Sequence, residues 1–185
     1  MTAMEMHTTL MCVALSAAWS CAGAGDEAEK PRSSMMRFEI PESMRIEHAE
    51  IHDALVAATR KPGPVGEAAR ELATILHPHF VREEEVALPP LGLLGPLARG
   101  ERRPDMEAVL PMTDALRAEL PEMLRQHTHI AAAARRLGEV ASAEGDAEVE
   151  ELARKLQLHA RSEEEIFYPA AVLVGELVRS RLGSK

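Results

Sequence analysis

Glu71-Leu-Ala-Thr-Ile-Leu-His-Pro-His-Phe-Val-Arg-Glu-Glu-Glu-Val-Ala-Leu-Pro89 occurs twice in this chain, its second copy running Glu151-Leu-Ala-Arg-Lys-Leu-Gln-Leu-His-Ala-Arg-Ser-Glu-Glu-Glu-Ile-Phe-Tyr-Pro169. Nine of the nineteen aligned positions are identical, among them His79/His159, Glu83/Glu163 and Pro89/Pro169. Each copy carries a His and, four residues later, a Glu. On an α-helix residues four apart share a face, one turn from each other. The repeat therefore offers an imidazole and a carboxylate together, a ligand pair that suits iron, manganese or zinc.

The repeat reaches further upstream. His48 in Glu47-His-Ala-Glu-Ile51 and His127 in Gln126-His-Thr-His-Ile130 share His-x-x-Ile, at an offset of 127 − 48 = 79, against 159 − 79 = 80 and 163 − 83 = 80 for the later pairs. Each half of the chain is then a helix pair that presents one His followed by His-x-x-x-Glu. Two halves related by a pseudo-two-fold axis would bring His48, His79, Glu83, His127, His159 and Glu163 to one point in a bundle core. With both glutamates bridging two metal ions, each ion would receive two imidazoles and two carboxylate oxygens. Octahedral ions keep further positions for a bridging hydroxide or oxide and for a small exogenous ligand, an arrangement that suits non-haem iron.

Composition agrees with a helical bundle. At 185 residues the chain has room for one domain with a real core. Hydrophobic residues make up 46% but aromatics only 3%, so the core is built from Leu, Ala, Val, Ile and Met, a helix-forming palette. The net charge of −9 and the lack of a basic cluster exclude a nucleic-acid surface. Both cysteines, Cys12 and Cys21, lie in the leader, so the rest of the chain has neither a disulfide framework nor a thiolate metal site.

Residues 1–34 read as a leader and 36–185 as the domain. Leu10 to Trp19 is apolar but too short to span a membrane as a helix. With Ser20-Cys21-Ala-Gly-Ala after it, the leader resembles a bacterial export signal of the lipoprotein kind, with Cys21 as the acylated, membrane-anchoring residue. No Lys or Arg precedes the apolar stretch, where a signal peptide carries positive charge. The alternative is translation from Met35 or Met36 and a cytoplasmic protein.

Four long helices are predicted. The first opens at Pro41-Glu42 and is broken by Lys61-Pro-Gly-Pro-Val-Gly66; the second spans about 67–89, with Pro78 expected to kink or divide it. Residues 90–111 form a crossover, with a short helix from Pro104. The third helix runs from Thr113 or Asp114 to about Ala143, with a bend at Pro121. Gly145-Asp146 supplies a stop and an N-cap for the fourth, which reaches Leu182 with a bend at Pro169. The natural architecture is an all-α, up-down-up-down four-helix bundle with an internal pseudo-repeat.

The order His … His-x-x-x-Glu … His … His-x-x-x-Glu, with Glu-Glu and a trailing Pro after each second His, resembles the hemerythrin-like, or HHE cation-binding, family over roughly residues 40–175. That resemblance implies a four-helix bundle around a hydroxo- or oxo-bridged centre of two iron ions, held by the six residues named above. It implies binding of O2, nitric oxide or peroxide, for sensing or scavenging; peroxidase, catalase-like or oxidase chemistry is the alternative, and a structural zinc or manganese bundle a further one. Oxygen-carrying hemerythrins have an additional His one turn along the third helix, where this chain has Ala131. His52 takes the matching place on the first helix and is expected to contact a ligand rather than to be one.

Other residues weigh less. His77 and His129 lie two residues from a candidate ligand, about 200° round the helix, and are not ligands. Glu84, Glu85, Glu164 and Glu165 read as solvated faces, since residues one or two past a ligand point away from it. Phe167 is one turn past Glu163 and is placed as a wall of the metal pocket or as ordinary core, and Tyr168 is a candidate hydroxyl beside the ligands.

Overall fold

The computed structural model describes residues 38–182; the leader, with Cys12, Cys21 and the alternative starts Met35 and Met36, lies outside them. No described helix is long and apolar enough to cross a membrane. The long elements are α1 (Glu42–Thr59), α2 (Gly63–Val86), α4 (Leu110–Glu144), and α5 (Ala147–Ser162) continued through a π-helical turn (Glu163–Phe167) into α6 (Tyr168–Leu182). They form the up-down-up-down bundle that the pattern predicts: α1 packs on α2 and α5, and α4 on α2, α5 and α6. The crossover carries more structure than expected: two 3₁₀ turns (Pro89–Leu93 and Pro104–Val109) flank the short helix α3 (Leu94–Ala98), so the helix expected from Pro104 is a 3₁₀ turn.

Each long helix buries one stripe. On α1 it is Met44, His48, Ile51, Leu55 and Ala58, and on α4 Thr113, Leu116, Met123, His127, Ile130, Ala134, Leu137 and Ala141. The histidines thus occupy positions of the apolar stripe itself, at helical spacing. One end of the bundle holds an apolar cluster that includes Ile51, Leu55, Leu72, Leu76, Phe80, Ile130, Leu137 and Leu156. A second cluster includes Met44, Val86, Leu88, Leu116, Met123 and Tyr168. Between the two lies a polar layer.

The helix ends follow the local signals. Gly145 adopts φ 71°, the left-handed conformation that closes a helix most cheaply with glycine. Asp146 caps α5 by accepting from the Val149 amide at 3.3 Å, and its carboxylate also accepts from Lys61, which ties the two short connections together. A Cβ at Gly175 would fall 2.2 Å from the Thr113 hydroxyl, so glycine is what lets α6 lie close on α4.

Pro78 and Pro121 divide neither helix. Each proline, and the residue four before it (Thr74 and Arg117), is exposed, so the missing hydrogen bonds fall on the wet sides of α2 and α4. The disruption sits elsewhere and in both copies of the repeat. The Glu83 carbonyl accepts from both Ala87 and Leu88 at 2.9 Å, and the Glu163 carbonyl accepts from Tyr168, five residues on. A proline follows each of these wide turns, at Pro89 and Pro169. Proline cannot donate to the carbonyl four residues back and collides with it, and a turn widened to five residues relieves the collision. Near Pro169 the irregularity is thus a widened turn, Glu163–Phe167, that precedes the proline.

Candidate metal centre

The polar layer consists of the six residues that the repeat singles out. His48, His79, His127 and His159 are each 2% exposed, Glu83 0% and Glu163 1%. Carboxylates and imidazoles are almost never this buried without compensation. They fall into two groups of four, His48–Glu83–His159–Glu163 and His79–Glu83–His127–Glu163, each able to present one ligand atom per residue within 4.8 Å of the others. Both glutamates belong to both groups. Each group takes one imidazole from each half of the repeat, as a two-fold operation that exchanges the groups requires.

Helix geometry makes the first contacts. His79 Nε2 stands 3.2 Å from Glu83 Oε1, and His159 Nε2 3.1 Å from Glu163 Oε1, both pairs four residues apart. Packing makes the rest. Glu83 Oε2 faces His48 Nε2 at 3.8 Å, Glu163 Oε1 faces it at 3.6 Å, and Glu163 Oε2 faces His127 Nε2 at 3.4 Å. His79 and His127 meet Nε2 to Nε2 at 2.8 Å.

Six buried polar atoms here lack a hydrogen bond: His48 Nε2, Glu83 Oε2, both ring nitrogens of His159 and both oxygens of Glu163. Leaving such atoms unsatisfied is expensive, and the Nε2 and carboxylate atoms among them point into the layer. That donor set, two carboxylates shared among four imidazoles, fits metal cations.

Three of the four outward ring nitrogens have hydrogen-bond partners, and their placement repeats too. Glu84 Oε1 lies 3.4 Å from His48 Nδ1, and its repeat mate Glu164 lies 3.0 Å from His127 Nδ1. Gln126 Oε1 lies 2.9 Å from His79 Nδ1, and its mate Glu47 lies 3.5 Å from His159 Nδ1, long for a hydrogen bond. An oxygen on Nδ1 fixes the tautomer and aims Nε2 inward. Glu84 and Glu164 are exposed, as expected of solvated faces, but each also contacts a buried histidine. One residue past a ligand, the side chain does turn from its own helix's histidine, but it turns toward the neighbouring helix and reaches that helix's histidine. Glu85, paired with Arg82, and Glu165 are exposed as expected. Sequence reasoning missed Glu47 and Gln126; the signal was their place directly before the first His of each half.

Tyr168 is buried, and its hydroxyl donates to Glu83 Oε1 and lies 3.2 Å from His127 Nε2. Phe167, a candidate wall of the pocket, is instead half-buried against the second apolar cluster. The π turn explains the exchange: it adds a residue, so the side chain five past Glu163 replaces the one four past it. Phe80 is the aromatic wall, stacked on His48 at 4.1 Å and edge-on to His159 at 5.6 Å. His52 is corrected as well. Its side chain is 55% exposed and pairs with Asp53, because Ile51, fully buried, takes the inward position one turn past His48. His77 and His129 are exposed, as expected.

The charges are strongly coupled. Burial pulls the His127 pKa down, but the nearby Glu163 and Glu83 carboxylates outweigh it and push it up to about 10. His159 is raised by the same balance, burial opposed by Glu163 and Glu83. Glu163 is driven well below the carboxylate range: burial raises it, and His127, His159 and His48 overcome that. Burial, then the charges of Glu83 and Glu163, raise the Tyr168 hydroxyl, which keeps its proton.

No curated protein and no solved structure matches the chain. A family model does, over residues 40–171, and its description is the hemerythrin HHE cation-binding domain. The match spans all six buried histidines and glutamates and most of the bundle. With its bundle, its repeated His-x-x-x-Glu and a His/Glu cluster that could hold a metal ion, this chain belongs to the hemerythrin HHE cation-binding domain family.

Proposed function

We propose that this protein is a non-haem di-iron protein that binds O2, nitric oxide or peroxide. The observation that carries the reading is the pair of four-donor groups sharing Glu83 and Glu163. His48 and His159 would hold one iron and His79 and His127 the other, with Glu83 and Glu163 available to both. Iron held there would supply reversible ligand binding and electron exchange.

The chain's own residues do the rest. Glu84, Glu164 and Gln126 orient three of the imidazoles, and Glu47 lies beside the fourth. Leu76, Phe80, Ile130, Leu156 and Ala160 pack apolar surface beside His79, His127 and His159, which keeps water from the centre. Tyr168 offers a hydroxyl to whatever Glu83 and His127 face. That hydroxyl favours one second reading, peroxide turnover, for which it is a proton donor at the site.

The test is metal content with an optical spectrum, on protein expressed with iron. About two irons per chain, with near-ultraviolet charge-transfer bands that change on adding azide or peroxide, is the expected result. Zinc alone, not replaceable by iron, would discard the oxygen chemistry and keep the bundle. A stable adduct without turnover favours the binder; rapid peroxide consumption, lost in His79→Ala and slowed in Tyr168→Phe, favours the enzyme.

A further inference from the structure

His52 and His77, left over from the buried centre, face each other across the groove between α1 and α2. Their ring centroids are 6.5 Å apart and their planes tilted by 49°. Both are exposed, and they stand at the rim of a groove of about 240 Å³ whose walls include Leu55, Ala73, Leu76 and Phe80. Two histidines on adjacent helices at this separation are close to a chelating pair. A cation sits about 2.0–2.1 Å from each imidazole nitrogen, which puts two rings sharing one ion roughly 5–6 Å apart, centre to centre. Both side chains are exposed, and a small torsional change closes the remaining ångström or so.

A second observation points the same way. Asp53 Oδ1 lies 3.4 Å from His52 Nδ1. A carboxylate on Nδ1 places the proton there and leaves the Nε2 lone pair for a cation, while adding negative charge beside it. Arg70 donates to the carbonyl of Thr59, a lining residue of the groove, at 2.7 Å. The site is confined to one half of the molecule. The repeat mates of His52 and His77 are Ala131 and Gln157, so no equivalent pair exists between α4 and α5.

We propose that His52 and His77, with Asp53 behind His52, form a surface site for a divalent late transition-metal cation such as Zn²⁺, Ni²⁺ or Cu²⁺. Imidazole suits these ions, and they lead the affinity order for such donors. The remaining coordination positions are open to water. The site owes nothing to the identity of the buried metal. Its floor nonetheless includes Phe80, the ring stacked on His48, so a cation held here stands on the outer side of the wall of the buried centre.

The test is a calorimetric titration of the full chain with Ni²⁺, the buried centre having first been filled and its metal content fixed by elemental analysis. The wild-type protein is expected to take up one further equivalent of Ni²⁺. His52→Ala and His77→Ala are each expected to weaken that equivalent at least tenfold, the double variant no more than either alone, because chelation needs both rings. Buried metal content and far-ultraviolet circular dichroism stay unchanged in all three, both residues being exposed. Asp53→Asn is expected to weaken the uptake without abolishing it. Uptake that persists in the double variant, or that depends on only one histidine, overturns the proposal and marks adventitious binding elsewhere on the chain.

Discussion

Removing the metal should cost this protein much of its stability, because the fold without a cation carries its own penalty. His48, Glu83, His159 and Glu163 contribute the buried atoms that lack a hydrogen bond. Each such group costs about 1–3 kcal/mol, so the four together cost about 4–12 kcal/mol, reduced by attraction between protonated imidazoles and carboxylates. A domain of this size has about 5–15 kcal/mol in all. Chelation should therefore lower the unfolding free energy, measured by urea titration with circular dichroism, by ~4 kcal/mol or more. A companion variant separates the metal from the packing. With His48→Leu, Glu83→Met, His159→Leu and Glu163→Met the atoms that lack a hydrogen bond are gone at similar volume, while His79, His127 and Tyr168 keep one another as partners. This variant should bind no metal, ignore chelator and be at least as stable as metal-free wild type, as apolar replacements of buried ionic clusters generally are. A chelator effect below about 1 kcal/mol in wild type, or a replacement variant less stable than the metal-free protein, would refute the reasoning.

Glu83→Ala and Glu163→Ala should each cost at least one metal ion per chain by elemental analysis; full occupancy in both would sink the shared-carboxylate assignment. Metal uptake should release protons at neutral pH, because His127, pushed up to about 10, must lose its proton to bind a cation; calorimetry in buffers of different ionisation enthalpy reads the number released. In the metal-free protein the His127 contribution to stability is complete below the unfolded value of 6.5 and is lost as pH rises through about 10. The Glu163 contribution has the opposite sign, complete above 4.5 and lost as pH falls toward its depressed value. Metal-free stability should thus peak between these pH values and decline toward pH 10, and a flat profile above pH 6.5 would contradict the coupling. Glu164→Leu, which strips the outer partner from His127, should weaken metal binding about 10–100-fold, and Glu164→Gln, which keeps an acceptor there, much less; competition with a chromophoric chelator measures both.

The chain's own periodicity determined the bundle and the identity of the buried six. Two copies of a helical His-x-x-x-Glu, each preceded by His-x-x-Ile at a matching offset, put the same residues on the same stripe of two helix pairs. Spacing within one helix is a property of the α-helix itself, so it is legible without a fold. Contacts between helices are not. Which imidazole shares a group with which, His48 with His159 and His79 with His127, follows from the cyclic packing of α1, α2, α4 and α5. The same packing takes Glu84 and Glu164 across to the histidines of neighbouring helices, where single-helix geometry shows only that they turn from their own. The π turn at Glu163 shifts the inward position from Phe167 to Tyr168, and Ile51 takes the inward place that His52 would need. These outcomes depend on one residue more or less in a turn and on which neighbour fills the space, and only the packed tertiary structure decides them.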